Sequence, residues 1–250
     1  MKRKIIIAAA VLLIGAGALG GWVWYRSSVL PERQLDEAHD RQIELFAQIK
    51  PELSASDSAV TPLEPAESVN SAAVGWITIP DTHIDYPIAQ AEDNDFYLHH
   101  GFDGQETDCG CPFLDYRCER GFTGFNSIVY GHHMKRQRMF ADIALFKNQS
   151  YLRSHPTGTL TLADGAHTVR FFAYLNVHNQ APAYHAVFVT QAERDDYIDY
   201  LFAEARYTTG YTPDALKGSD SLHLLLLSTC TYEFTDARGI LAGVIEPITE

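Results

Sequence analysis

Residues 224–230 read Leu-Leu-Leu-Leu-Ser-Thr-Cys, an apolar run that ends in two hydroxyl side chains and a thiol. Four consecutive leucines are typical of a strand that is buried on both faces. A cysteine just past such a strand lies at the rim of a β-structure, where its side chain is both held and reachable. We therefore expect a central strand here, with Cys230 at its accessible end.

Other short runs of alternating apolar residues, with turn residues between them, predict further strands. Thr190 and Glu193 have the spacing of a capping box, and apolar residues behind them recur at helical spacing, which predicts one helix at about 191–206. Several short strands predict a mainly β domain, either a barrel or a sandwich. The predicted strands are residues 75–80, 83–87, 127–130, 159–162, 168–175, 222–227 and 239–245.

The chain has 250 residues, 46% of them hydrophobic, which is enough to bury a core without disulfides or metals. Its formal net charge is −13, and no acidic residue occurs before Glu32, so the rest of the chain is more acidic still. Such a surface repels phosphate backbones, which argues against nucleic acid as a partner.

The N-terminus predicts a membrane anchor at residues 1–26. Residues 2–4 are basic, and residues 5–25 carry no charge and end in an aromatic cluster. A helix of that length matches the hydrocarbon core of a bilayer, and the basic side favours a cytoplasmic N-terminus. The alternative is a signal peptide cleaved near residues 16–18. Both interpretations export the remainder, so we expect an extracellular catalytic domain, and the anchor interpretation makes the protein single-pass.

Residues 27–73 are predicted to form a helical stalk and a linker. Pro31 fits the first turn of a helix with a patchy apolar face, and residues 51–71 are rich in Ser, Pro, Glu and Ala, as linkers are. The catalytic domain is predicted to span 74–250. We therefore expect deletion of residues 1–72 to leave a folded, active domain.

Three residue types with reactive side chains lie at predicted strand ends. Cys230 ends one strand, His132 follows the strand at 127–130, and Arg238 precedes the strand at 239–245. A lone cysteine is more often a small buried apolar side chain. A reactive thiol needs a base or cation nearby, and an acyl-transfer site needs a donor for the oxyanion, which arginine supplies. Together the three favour thiol-dependent acyl transfer.

Ser-Thr-Cys230 followed by Arg238, with Tyr-Gly-His132 earlier in the chain, resembles the sortase family. The predicted helix at 191–206 is similar to one that interrupts the loop before the cysteine strand in class B sortases. The motifs that resemble class B are Val74-Gly-Trp-Ile-Thr-Ile-Pro80, Ile84-Asp-Tyr-Pro-Ile88, Asp93-Asn-Asp-Phe-Tyr-Leu98, Phe113-Leu-Asp-Tyr-Arg117 and Tyr130-Gly-His-His-Met134.

The resemblance implies an eight-stranded sortase-type β-barrel on the outer face of a Gram-positive membrane. Such enzymes cut a C-terminal sorting signal after Thr, hold the acyl group as a thioester, and pass it to an amine. The partners implied are surface proteins or pilins that bear the signal, and an amine from a cell-wall precursor or a pilin lysine. No cofactor or metal is implied. The alternative is a thiol peptidase that releases the acyl group to water.

Matching positions also imply residue roles. Cys230 is the nucleophile, His132 the general acid/base, and Arg238 the cation that stabilises the oxyanion or positions the substrate. The neighbouring His133 receives no role. The residues that match the substrate groove of class B enzymes are Asn94, Leu98, Tyr130 and Ser228.

Cys109, Cys111 and Cys118 lie outside the sortase pattern. If Cys230 stays free, at most one disulfide forms among these three, which an exported chain permits. Cys109 or Cys111 could pair with Cys118, and a Cys109–Cys111 bond would be strained. Free thiols and a metal site are the other possibilities, and the latter would need a fourth ligand.

Overall fold

The structure is a computed structural model that describes residues 22–51 and 62–246. The chain divides into two compact units, the second of which begins at Leu45. A π-helical turn precedes the first α-helix, and two 3₁₀ segments lie within the second unit. These irregular elements are Tyr25–Val29, Phe140–Lys147 and Pro182–Tyr184.

The regular elements follow in chain order. The helices are α1 (Leu30–Ile49), α2 (Glu64–Val69), α3 (Phe96–His99), α4 (Gln149–Ser154), α5 (Gln191–Glu204) and α6 (Pro213–Leu216). The strands are β1 (Ala73–Thr78), β2 (Asp85–Ala89), β3 (Phe113–Leu114), β4 (Asn126–Tyr130), β5 (His133–Met134), β6 (Arg138–Met139), β7 (Thr157–Leu162), β8 (Gly165–His178), β9 (Ala205–Thr208), β10 (Leu224–Cys230) and β11 (Ala237–Ile245).

Eight strands form a closed barrel in the order β11–β10–β4–β3–β2–β1–β7–β8, and β8 pairs with β11 to close it. Two neighbouring pairs are parallel, β2 with β3 and β4 with β10. Strand β8 is 14 residues long, so one of its edges serves both β7 and β9 while the other pairs with β11. The prediction of a mainly β fold is confirmed. Because β8 pairs with β11 and closes the sheet, the fold is a barrel and not a sandwich.

The leucine run lies in the core as the sequence predicts. The side chains of Leu224–Leu227 are fully buried, and β10 lies between parallel β4 and antiparallel β11. A strand with a neighbour on each edge and covered faces needs apolar side chains on both faces, which explains the unbroken run.

The predicted helix is confirmed as α5. Its N-cap Thr190 accepts a hydrogen bond from the backbone N–H of Glu193 at 3.2 Å, and the Glu193 carboxylate accepts the N–H of Thr190 in return. The helix ends two residues before the predicted end, at Glu204, because Ala205 enters β9.

The predicted location in the membrane is contradicted. Within residues 22–51 and 62–246, no helix is both long enough and apolar enough to cross a bilayer. The helical chain after Trp22 carries Arg26, Glu32 and Arg33, and charges at membrane depth are costly. This finding corrects the predicted single-pass topology and the membrane as a partner. Of the predicted span at 5–25, residues 5–21 lie outside the described residues.

The last residues of α1, from Leu45 onward, belong to the second unit. The Phe46 ring lies edge-on to Trp76, Tyr86 and Phe102, with centroid distances of 6.2, 5.9 and 6.2 Å. Phe46 is 3% exposed. The predicted domain start at residue 74 stays a prediction, but a chain that begins there lacks this ring and uncovers three aromatic residues of the second unit.

We expect Phe46→Ala to lower the free energy of unfolding by about 3–5 kcal/mol, the usual cost of removing a buried phenylalanine. Urea unfolding of the 27–250 chain measures it. Ile43→Ala is the matched control, because Ile43 lies on the same helix and is 40% exposed; a change within about 0.5 kcal/mol is expected there. Equal effects of the two substitutions would contradict the packing role of Phe46.

Candidate active site

Three adjacent strands bring the predicted reactive residues to one rim of the barrel. Cys230 is the Cα partner of Arg238 across the β10–β11 pair. Strands β4 and β10 are parallel, with Tyr130 opposite Ser228. Both strands therefore end at the same edge, and His132, which follows β4, lies on the side where β10 delivers Cys230.

A cavity of about 530 Å³ opens at this rim. All seven residues selected from the sequence line it, which no spacing along the chain could establish. They are Asn94, Leu98, Tyr130, His132, Ser228, Cys230 and Arg238. The other lining residues are Phe113, Arg117, Gly131, Asn179, Tyr184 and Thr229.

The thiol of Cys230 differs from the other three thiols in its accessibility. Cys230 is partly exposed and lines the cavity, whereas Cys109, Cys111 and Cys118 are buried. All four are free cysteines, so of the possibilities that the sequence left open for Cys109, Cys111 and Cys118, the structure has free thiols. Within the described parts of the chain, no group of His, Cys, Asp and Glu side chains is arranged to hold a metal ion.

Two of the buried thiols, those of Cys111 and Cys118, are poor nucleophiles because burial disfavours their charged form. Burial raises the pKa of Cys111 well above its usual value, with Asp103 adding to the effect. Burial also raises the pKa of Cys118 to about 11. Neither thiol forms much thiolate near neutral pH, and thiolate is the reactive species.

The His132 ring is oriented by a backbone carbonyl. Its Nε2 lies 2.9 Å from the oxygen of Leu98. A carbonyl oxygen only accepts, so in the neutral imidazole Nε2 carries the hydrogen and Nδ1 remains to exchange a proton. Leu98, predicted to line the groove, therefore also holds the histidine through its main chain.

Gly110 packs directly behind this histidine. Its φ is +57°, and a Cβ placed there would lie 2.5 Å from the oxygen of Tyr97 and 3.0 Å from Cδ2 of His132. Only glycine fits without displacing backbone or the ring. The Cys109–Cys111 segment, which the sequence left without a role, thus forms the wall behind His132.

Arg238, on β11, lies opposite Cys230 on the neighbouring strand β10. Its Nη1 donates to the carbonyl oxygen of Ala237 at 3.1 Å, which holds the guanidinium at the cavity wall. Burial raises the pKa of Tyr184 to about 12, while its hydrogen bond to Ser228 and the charge of Arg238 oppose the rise. The hydroxyl of Tyr184 lies 2.8 Å from Oγ of Ser228. The sequence did not single out Tyr184.

Two predicted groove residues are bonded to a residue that the sequence analysis did not select. Nδ2 of Asn94 and the hydroxyl of Tyr130 both donate to Oδ2 of Asp115, at 3.0 and 2.9 Å. Arg117 donates to the same carboxylate. Asp115 and Arg117 lie in the motif at residues 113–117. The Asp-x-Arg pattern of that motif was the only feature of the sequence that could have pointed to this ion pair.

His133 lies outside the cavity. Its ring is half-buried and stands edge-on to Tyr232. Burial and the charge of Lys147 lower its pKa, while the charge of Asp142 opposes this.

Known proteins that this chain is similar to in sequence and in fold are sortases. A sortase B from Listeria monocytogenes is 36% identical over 183 residues, which cover 72% of this chain and 72% of that protein. The solved structure of sortase B from Listeria monocytogenes has a TM-score of 0.63 at 32% identity, covering 72% of this chain and 97% of that one. A Staphylococcus aureus sortase B–substrate complex shares the fold, with a TM-score of 0.68 at 21% identity, covering 87% of this chain and 97% of that one. No protein-family model matches the chain.

Proposed function

The chain belongs to the class B sortases, and from that premise we propose that it cuts a C-terminal sorting signal after Thr and transfers the acyl group to an amine through a thioester on Cys230. The observation that carries the proposal is the convergence of Cys230, His132 and Arg238 on one cavity. Among the described cysteines, Cys230 alone lines that cavity.

Acylation begins when the thiolate of Cys230 attacks the carbonyl carbon of the Thr residue. The oxygen gains negative charge, and the guanidinium of Arg238 stabilises it because arginine stays protonated at any working pH. The C–N bond then breaks, and protonated His132 gives its Nδ1 proton to the leaving amine. The product is a thioester on Cys230 and a released C-terminal peptide.

Transfer reverses these roles. An incoming primary amine attacks the thioester carbon, and neutral His132 accepts a proton from it. The C–S bond breaks, the thiolate leaves, and a new amide bond joins the acyl group to the acceptor. Thiolate is a better leaving group than an alkoxide, so the intermediate is reactive towards an amine.

The proposed donors are surface proteins or pilins that carry a sorting signal. The S. aureus relative that shares the fold is a complex with its substrate, and this supports the proposal that the chain binds a donor substrate. The proposed acceptor is a primary amine, supplied by a cell-wall precursor or a pilin lysine. The thiol-peptidase alternative shares the acylation half and uses water in place of the amine.

One experiment separates transferase from peptidase. The 27–250 chain is incubated with a library of sorting-signal peptides, with and without hydroxylamine, and products are read by mass spectrometry. We expect a hydroxamate at the Thr carboxyl in the presence of the amine. Cleavage to the free acid alone, at a rate unaffected by hydroxylamine, would decide for the peptidase.

We expect Gly110→Ala to lower kcat/KM by about 10²-fold, because the new methyl group clashes with the carbonyl oxygen of Tyr97 and with the His132 ring, and misplacement of the ring by about 1 Å has this cost. Steady-state kinetics on the best-cleaved peptide measure the loss. Gly104→Ala is the matched control: its φ is +75°, so the backbone strain is similar, but no atom lies within 4 Å of the added Cβ. A similar loss in both variants would show that strain, and not the ring contact, is responsible.

A further inference from the structure

A buried carboxylate lies behind the wall of the cavity and is surrounded by donors. Asp115 is 0% exposed. Arg117 binds it in a bidentate manner, with Nε 2.9 Å from Oδ1 and Nη2 2.6 Å from Oδ2, and the backbone N–H of Arg117 donates to Oδ1 at 2.9 Å. Tyr130 and Asn94 complete the set. Each of these groups donates to the carboxylate.

The ionised form of Asp115 is therefore the favoured one. Burial by itself would raise the pKa of Asp115, but the hydrogen bonds from the side chain and amide of Arg117 and from Tyr130 outweigh it and lower the pKa. The network holds a charge pair at this site, with carboxylate and guanidinium in fixed mutual orientation.

The network has a defined position relative to the reactive thiol. Tyr130 lies opposite Ser228, two residues before Cys230 on the same strand. At about 3.3 Å per strand residue, this level lies roughly 7 Å from the level of Cys230 and His132. A peptide whose scissile bond is at Cys230 therefore places a residue near, but not at, that bond against the network.

Arg117 still has donors to offer the cavity. Its Nε and Nη2 are bonded to Asp115, and Nη2 also donates to the carbonyl oxygen of Tyr184 at 3.2 Å. Within the described chain, Nη1 of Arg117 makes no hydrogen bond. Arg117 is also one of the residues that line the cavity, and its side chain is 37% exposed. Because Asp115 neutralises the guanidinium, Nη1 suits a neutral carbonyl oxygen better than a second carboxylate.

We propose that Asp115 is a positioning residue for peptide recognition: it holds Arg117, Asn94 and Tyr130 so that Nη1 of Arg117 donates to a carbonyl oxygen of the bound peptide. This role rests on the proposed function, since the peptide is the donor in that reaction. It assigns Asp115 to binding and leaves bond breaking to Cys230, His132 and Arg238.

The test is the separation of KM from kcat in Asp115→Asn. An asparagine presents an NH₂ group to partners that are all donors, so at least one of them must turn away. We expect KM for the best-cleaved peptide to rise at least about tenfold and kcat to stay within about threefold of wild type. This pattern indicates the loss of a contact that stabilises the bound peptide equally in the ground state and in the transition state. The rate of Cys230 alkylation by iodoacetamide, which needs no peptide, is expected to stay within about twofold of wild type.

Two milder variants keep the test decisive if Asp115→Asn folds poorly. Tyr130→Phe removes one donor, and Arg117→Lys keeps the charge but loses the planar fork. Both are expected to raise KM in the same direction. Glu119→Gln is the matched control, because Glu119 is a nearby carboxylate that accepts from Thr123 and does not line the cavity.

Each outcome has a defined meaning. Unchanged KM in Asp115→Asn or in both milder variants overturns the inference. A fall in kcat and in alkylation that parallels a lower Tm also overturns it, since a purely structural role predicts that pattern. A wild-type enzyme that forms no product from any sorting peptide contradicts the proposed function instead, so the two failures are distinguishable.

Discussion

Replacing Cys230 with alanine is expected to abolish cleavage and transfer together. Both halves of the proposed reaction pass through a bond to Sγ of Cys230, and the remaining cysteines are buried away from the cavity. Mass spectrometry of the enzyme mixed with peptide in the absence of amine measures the acyl adduct directly. We expect an adduct in the wild type and none in Cys230→Ala.

Cys118→Ala is the matched control, since it removes a buried thiol and leaves Cys230 in place. It is expected to retain the adduct. Native alkylation gives a second readout: the folded wild type is expected to take one iodoacetamide group and Cys230→Ala none. Peptide turnover by Cys230→Ala at the wild-type rate would contradict the proposed mechanism.

Replacing Arg238 with lysine is expected to lower kcat/KM by roughly 10²–10³-fold, the usual loss when an oxyanion donor is removed. Lysine keeps the positive charge but loses the planar fork, and Nη1 of Arg238 already uses one donor on the carbonyl oxygen of Ala237. An ammonium group cannot hold that carbonyl and the oxyanion in one geometry. Steady-state kinetics of Arg238→Lys and Arg238→Ala on one peptide measure the loss.

The comparison of the two variants decides between roles. If Arg238 only supplies a field that favours the thiolate, lysine restores most of what alanine removes. If it donates to the oxyanion, both variants are severely impaired. Activity near the wild-type level in Arg238→Lys would exclude the oxyanion role.

Several elements could be predicted because their cause is local. The capping box of Thr190 and Glu193 predicted the start of α5, since both partners lie within one helical turn. The leucine run predicted β10, since burial on both faces requires apolar side chains at consecutive residues.

The apolar run at residues 5–25 predicted a location in the membrane, and that location is contradicted for the described chain.

Other features could not be predicted because their cause lies between distant segments. Phe46 has no sequence pattern that marks Trp76 and Tyr86 as its neighbours. Asp115 stands in a motif, but its importance comes from Asn94 and Tyr130, which approach it from other elements. Hydrogen bonds of this kind depend on the closed barrel and on nothing that a short window of sequence contains.

The sequence by itself determined where the main strands and the helix at Thr190 lie, because periodicity and turn residues act over a few neighbours. It also determined that a thiol, an imidazole and a guanidinium stand at strand ends. Only the tertiary structure decided that β8 closes the barrel against β11, that the parallel β4–β10 pair brings His132 to the rim of Cys230, and that Gly110 supports the ring from behind. These depend on the register between strands that lie far apart in the chain, and register is set by the packing of the whole core.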